Sequence, residues 1–271
     1  IVGIGTGLAI KGIKSFVEIM FGDFTTLITD QLHQHAAKFK KMYADKITAP
    51  VIIRTPMGGK RGYGPTHSQS IESLFYSILG LRIVALNQFV APQDTIGSLL
   101  EISKEPSLLI ENKTLYTQKR ITSQIMPGYS IRTSDEALAT VKITPVNIAP
   151  QVTILCYGGT VTDVLSAVAG LIESDIFVEV LIPTSLKPMN IHSIKESVSI
   201  SKNLVIVEEG NSHGGILSSV AVKLLEVGLA FSLKSLSSQT ILSCAIDAEL
   251  DSIPNSSDVI SACKELLKNE K

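Results

Sequence analysis

The sequence predicts two α/β domains in series, each built on a parallel sheet with helices on both faces. Three observations carry this. The 271 residues hold about two domains' worth of chain, at roughly 100–200 residues per domain. Short apolar runs of strand size alternate with segments of helical period along both halves. Between them, over 119–149, periodicity fades and Ser, Thr, Gly and Pro become frequent, as in Met126-Pro127-Gly128 and Ala149-Pro150. The boundaries expected are therefore 1–118 for the first domain, 119–149 for a linker carrying some short extended structure, and 150–271 for the second domain.

In the first half, Gly3-Ile4-Gly5-Thr6-Gly7 looks at first like a dinucleotide loop. The spacing is not GxGxxG, and only Ile1 and Val2 could supply the strand that must precede it. Small residues on a helix, where a second backbone can approach, are the better reading. The chain opens Ile1-Val2-Gly3, with neither Met nor a signal-like charged start, so residue 1 is not expected to be the natural beginning. Phe24, Leu27, Ile28, Leu32, Ala36 and Phe39 follow the i, i+3, i+4 stripe of one long helix. Val51 to Arg54, Leu81 to Leu86 and Ser107 to Ile110 read as buried strands. Pro92 opens a helix, with Asp94 suited to its N-terminal dipole.

The second half repeats the alternation. Val152 to Tyr157 is a strand ending in Gly158-Gly159, followed by a helix with Val161, Val164, Leu165, Val168 and Leu171 on one face. Then come a strand at Val178 to Ile182, a short helix near Ile191 to Val198 and a strand at Leu204 to Val207. A final helix bears Val259, Ile260, Cys263, Leu266 and Leu267.

Composition narrows the function classes. Residues are 45% hydrophobic and 18% charged, against roughly 25% charged in an average soluble protein, which excludes a disordered polyelectrolyte. The net charge of −1 and pI near 6.6 give no reason to expect nucleic acid or an anionic membrane as partner. No apolar run reaches the roughly 18–20 residues of a membrane span. So lightly charged a surface implies that part of it is covered by partner chains. Cys156, Cys244 and Cys263 show no metal spacing and read as small buried core residues in a reducing compartment.

The segment richest in chemistry is Arg54-Thr55-Pro56-Met57-Gly58-Gly59-Lys60-Arg61-Gly62-Tyr63-Gly64-Pro65-Thr66-His67-Ser68-Gln69-Ser70. It leaves a buried strand at its C-terminal end, where open α/β sheets bind ligands. His67 stands where a helix is expected to begin and could serve as acid or base near neutral pH; taken alone, a surface loop with an incidental histidine is the simpler reading. His33 and His35 sit on different sides of their helix, and His192 and His213 lack a carboxylate or Cys at ligand spacing. Those four read as ordinary. Glu208-Glu209-Gly210 is either a solvated strand end with a turn or part of a site.

The first half closely resembles the beta subunit of the thiamine-diphosphate-dependent E1 component of 2-oxo acid dehydrogenase complexes, in the transketolase-like superfamily. The matching residues are Glu18 to Phe24, Asp30-Gln31, Arg54-Thr55-Pro56, Gly62 to Glu72, Gly80 to Val84 and Glu111-Asn112. The second half resembles the transketolase C-terminal domain at Gly158 to Val161, Leu186 to Asn190 and Val207 to Gly210. The resemblance implies a pyrimidine-binding domain followed by that C-terminal domain. It implies an α2β2 heterotetramer with thiamine diphosphate between an alpha and a beta chain, the alpha chain holding the diphosphate and Mg2+, and a lipoyl-bearing E2 core as a further partner.

Carried over by motif, Phe24 would stack on the aminopyrimidine, Met20 would line the same pocket, and His67 would face the thiazolium and substrate. The expected activity is oxidative decarboxylation of a 2-oxo acid with acyl transfer to lipoyl. The expected location is the cytoplasm if bacterial, otherwise a mitochondrial matrix or plastid. A non-catalytic assembly subunit is the alternative, and a fragment of a stand-alone transketolase or deoxyxylulose-phosphate synthase a third reading. The family's cofactor-activating glutamate would fall shortly before Ile1, outside this sequence, with the family's first helix and strand. Departures from the family lie at Glu101 to Glu105, which lacks an Asp-Asn pair of the structural cation site, at Ile182 to Ser185, which lacks an arginine, and at Ala245 to Leu250, which replaces a proline-and-tyrosine stretch.

Overall fold

The computed structural model describes residues 1–122 and 125–268. Helix α1 (Val2–Ile10) leads to strand β1 (Phe16–Glu18). A Cβ on Gly5 would come within 2.6 Å of Val17 Cγ2, so the glycine-rich start is a close-packed helix and not a nucleotide loop.

The long helix expected over Phe24 to Phe39 is broken. Gly22–Ile28 is a 3-10 helix, Gln31–Ala36 a π-helix, and only α2 (Phe39–Met42) is regular. Threonine hydroxyls drive the change: Thr25 bonds back to the Gly22 carbonyl at 2.6 Å, Thr26 to Asp23 at 2.8 Å and Thr29 to Thr25 at 3.3 Å. Three residues per turn put Thr25 and Ile28 on one inward line, and Leu27 is left 82% exposed.

Next come β2 (Ile52–Met57), a 3-10 turn at Glu72–Phe75, β3 (Arg82–Ala85), α3 (Pro92–Ile102, Pro92 and Asp94 in its first turn) and β4 (Ser107–Asn112). Residues alternate between the sheet's two faces. Ile52, Val84 and Leu109 pack with Leu99 of α3 on one side, while Ile53, Ile83, Leu108 and Ile110 enter a larger core on the other.

The stretch 119–149 contributes more than a tether. It forms the hairpin β5 (Tyr129–Thr133) and β6 (Thr140–Pro145), which pairs antiparallel with β8 (Val178–Pro183). Leu138 packs under the first sheet. The second sheet continues through β7 (Val152–Cys156), α4 (Thr160–Ile172) and β8, then β9 (Ser185–Lys187), α5 (Ile191–Ser201), β10 (Asn203–Asn211), α6 (Ser218–Glu226), β11 (Ser232–Ser238), α7 (Ile246–Ser252) and α8 (Ser256–Lys268).

Its strand order is β11-β10-β7-β8-β6-β5, and that of the first sheet is β1-β2-β4-β3-β9. Both sheets are therefore mixed, parallel at the centre with antiparallel additions. β9 crosses from the second half to pair antiparallel with β3. Leu155, Leu181, Leu204 and Ile206 join Ile53, Ile83 and Leu108 in one continuous core between the sheets. No helix among the described residues is long and apolar enough to cross a membrane.

Gly80, in the turn before β3, has φ +77°, and a Cβ there would lie 2.5 Å from the Ala37 carbonyl oxygen. Gly80→Ala combines a left-handed backbone with a collision against main chain, and should cost about 2 kcal/mol. Urea unfolding of the variant checks this; an unchanged midpoint would refute it.

Candidate active site

The loop after β2 carries Gly58 to Ser70 across the C-terminal end of the first sheet. His67 lies in a tight turn over residues 65–67, not at a helix start; regular winding resumes only at Glu72. The turn is closed by Gly64, whose carbonyl accepts from the His67 and Ser68 N–H groups at 3.2 and 3.0 Å. The Gln69 amide donates to Asp23 Oδ1 at 2.7 Å and to the Pro65 carbonyl at 2.5 Å. That bridge ties the loop to the 3-10 helix bearing Phe24.

As a result the Phe24 and His67 rings meet edge to face, with centroids 5.3 Å apart. Phe21 completes a triangle, 4.7 Å from His67 and 5.7 Å from Phe24. The Thr66 hydroxyl and His67 Nδ1 are hydrogen-bonded at 2.8 Å, leaving Nε2 without a partner among the described residues. Met20, one residue before Phe21, is 62% exposed, and no contact ties it to the Phe24 or His67 ring among the described residues. Lys113 Nζ lies 3.4 Å from the Phe21 ring centre, a cation–π contact. Arg61 bonds the Tyr63 hydroxyl at 3.2 Å and the Lys113 carbonyl at 3.4 Å. Burial, with Arg61 nearby, holds the Lys113 ammonium below its ordinary pKa. The mouth of the His67 cluster is thus aromatic with a cationic edge.

Behind this loop lies a second polar group. Glu208 and Glu209, read as a possible solvated strand end, are only 3% and 8% exposed. The Tyr157 hydroxyl donates to Glu72 Oε1 at 2.6 Å and lies 3.4 Å from Glu208 Oε2. Glu208 Oε1 accepts from the Leu217 N–H at 3.2 Å. Glu209 accepts from the Gly59 N–H and, at 2.8 Å, from the Asn112 amide. Burial pushes Glu208 and Glu209 up to about 7, with Glu72 adding repulsion, and raises Glu72 as well. Farther along the sheet, Arg54 grips Glu111 with two nitrogens, at 3.0 and 2.5 Å.

Sequence reasoning missed Phe21, Lys113 and the linkage of Glu208, left open as a site residue, to Tyr157 and Glu72. The Glu72 position inside the matched block and the adjacent Glu208-Glu209 were the available signals for the last. His192 does have a carboxylate at helical spacing, Glu196 at 3.1 Å, but the pair is at the surface. His35 lies 3.6 Å from Asp30, also partly exposed. Cys156 and Cys263 are buried and free, whereas Cys244 is exposed, contrary to the core reading. Among the described residues no group of three or more His, Cys, Asp or Glu side chains could hold a metal ion.

A histidine-bearing glycine loop set against a phenylalanine helix, in an α/β domain fused through a common core to a second, defines a transketolase-like protein. Residues 1–119 match the transketolase pyrimidine binding domain and residues 142–251 the transketolase C-terminal domain; the chain belongs to this family. Its curated relatives include pyruvate dehydrogenase E1 beta subunits and acetoin:2,6-dichlorophenolindophenol oxidoreductase beta subunits. The chain is 30% identical over 237 residues to the pyruvate dehydrogenase E1 component subunit beta-1, mitochondrial, of Arabidopsis thaliana, covering 84% of this chain and 61% of that one. It is 29% identical over 228 residues to the acetoin:2,6-dichlorophenolindophenol oxidoreductase subunit beta of Cupriavidus necator, covering 83% and 64%. The chain thus spans less than two thirds of these relatives' length. A solved structure described as a split gene transketolase, inactive beta4 tetramer, superposes with TM-score 0.73 at 19% identity, over 99% of this chain and 81% of that one, which speaks for the fold.

Proposed function

We propose that this chain is the beta chain of a 2-oxo acid dehydrogenase E1, acting with an alpha chain in oxidative decarboxylation of a 2-oxo acid and acyl transfer to a lipoyl group on E2. The observation that carries the reading is the Phe21–Phe24–His67 triangle at the C-terminal end of the first sheet. Thiamine diphosphate, when bound, supplies the electron sink that this chemistry requires. The residues present fit its pyrimidine end: Phe24 is a flat, half-buried ring fixed by the Asp23–Gln69 bridge, suited to stacking on a heterocycle, and the exposed Met20 is assigned by the family motif to the same pocket. The diphosphate and Mg2+ are assigned to the alpha chain.

His67 is the proton carrier and substrate-positioning group. With Nδ1 tied to Thr66, Nε2 is the nitrogen free to take or give a proton. Phe21 and Phe24 both pack edge to face against the imidazole and hold its orientation. Lys113 and Arg61 draw an anionic substrate toward the mouth.

Co-expression with an alpha chain, untagged purification and intact-mass analysis should yield a stoichiometric αβ assembly with cofactor-dependent turnover of a 2-oxo acid. Phe24→Ala should weaken thiamine diphosphate binding about tenfold, as loss of an aromatic stacking contact does. Unaltered affinity in a titration would remove Phe24 from the cofactor site, and absence of any alpha-chain complex would overturn the assignment itself.

A further inference from the structure

The loop that delivers His67 is held in shape by the other domain. Every residue from Gly59 to Gly62 bonds to a carboxylate of the second half. The Gly59 N–H donates to Glu209, and the Lys60 ammonium pairs with Asp163 of α4. The Arg61 and Gly62 N–H groups both donate to Glu249 Oε2 of α7, at 2.8 and 2.6 Å. Lys60 has φ +66° and Gly62 φ +70°, a left-handed pattern that turns successive N–H groups toward one point and makes a concave seat for an anion. For a lysine that backbone is disfavoured, so the seat needs its occupant.

Glu249 is 0% exposed, and the chain around it is moulded to the loop. Ile253 occupies the space a Cβ on Gly59 would take, and Cys244 Sγ the space of one on Gly64. Glu249 also lies in Ala245 to Leu250, where the sequence departs from the family pattern.

We propose that Glu249, with Glu209 and Asp163, is a positioning clamp through which the second domain sets the conformation of the His67 loop. None of the three is a catalytic residue; each acts through the backbone or the lysine of the loop. Only the kinetic consequence rests on the E1 reading. The clamp itself does not.

Limited trypsin digestion of the whole chain, followed by mass spectrometry, tests this directly, because Lys60 and Arg61 are themselves cleavage sites. In Glu249→Ala, cutting after Lys60 and Arg61 should rise roughly tenfold as the loop samples open forms, while cutting after Lys195 and Lys223 should stay within about twofold. Glu249→Gln keeps an oxygen acceptor of the same reach and should recover most of the protection. Asp163→Asn, on a helix that needs no such contact to form, should raise cutting after Lys60 with the same locality. In the reconstituted enzyme, Glu249→Ala should lower kcat at least about fivefold with KM nearly unchanged, since misplacing His67 affects the proton-transfer step more than ground-state binding. Unchanged cutting at Lys60 and Arg61, or a uniform rise along the whole chain, would overturn the clamp. Neither result depends on cofactor, alpha chain or turnover, so a failed clamp and a failed functional assignment remain distinguishable.

Discussion

Replacing His67 with alanine should lower kcat of the reconstituted αβ enzyme by a hundredfold or more, the usual span for a positioned acid–base group being about 10²–10⁴. The imidazole is held by three independent constraints: the Thr66 hydroxyl at Nδ1, the Phe21 and Phe24 rings packed together against it, and a turn closed on the Gly64 carbonyl. Each fixes where Nε2 stands, and no other described side chain is shown at that point to replace it. His67 is only half-buried, so its loss should leave folding and alpha-chain association intact. Gel filtration and cofactor titration provide that control. Turnover within about threefold of wild type, on a variant that assembles normally, would remove His67 from the mechanism.

Raising the pH from 5 to 8 should destabilise the chain, and the buried glutamates should account for much of the loss. Glu208 and Glu209 stand at about 7 in the folded chain, chiefly because burial penalises their charge, against an ordinary value of 4.5. A carboxyl group whose folded value is raised binds its proton more tightly when folded. Its contribution is fully present below 4.5 and is lost as pH climbs through 7. At 1.36 kcal/mol per pKa unit, the change is on the order of 3 kcal/mol for each carboxylate. Glu72 shifts the same way through burial, and Tyr157 joins it to Glu208. Glu208→Gln and Glu209→Gln keep the shape and remove the titration. Chemical denaturation of wild type and the double variant between pH 5 and pH 8 should show a slope in the first that flattens in the second. Identical slopes would refute the linkage.

The fold was legible where burial alone decides conformation. β2, β4, β7, β8 and β10 each carry a short buried apolar run, such as Leu108 to Ile110, Val180 to Ile182 and Leu204 to Val207, and α4 and α8 carry clean one-sided stripes. What escaped depends on distant partners. β11 contains Ser232, Ser235, Ser237 and Ser238 at an exposed sheet edge, so its residues advertise no core. β9 is three residues long with a single fully buried side chain, Leu186, and becomes a strand only because β3 lies across from it. The helical stripe from Phe24 was visible, but the threonine hydroxyls that rewind its first turn act below the resolution of apolar spacing.

For the site, the motif around His67 marked the histidine and Phe24, and the Gln69–Asp23 bond explains physically why they come together. Glu208 and Glu209 were left open because charge on a strand end suggests water, whereas Tyr157, Asn112 and the Gly59 and Leu217 N–H groups bring them indoors.

The exchange of β9 makes fission of this polypeptide unproductive. A fragment stopping at residue 149 would leave β3 as a bare rim, its hydrogen-bonding groups open to any stray chain, and would forfeit the Lys187 ammonium that caps the Tyr76 and Ile78 carbonyls at 2.6 and 2.5 Å. Neither piece would be self-sufficient, and heating the intact molecule should produce one calorimetric peak, not two, because the lobes are stitched and melt as a unit.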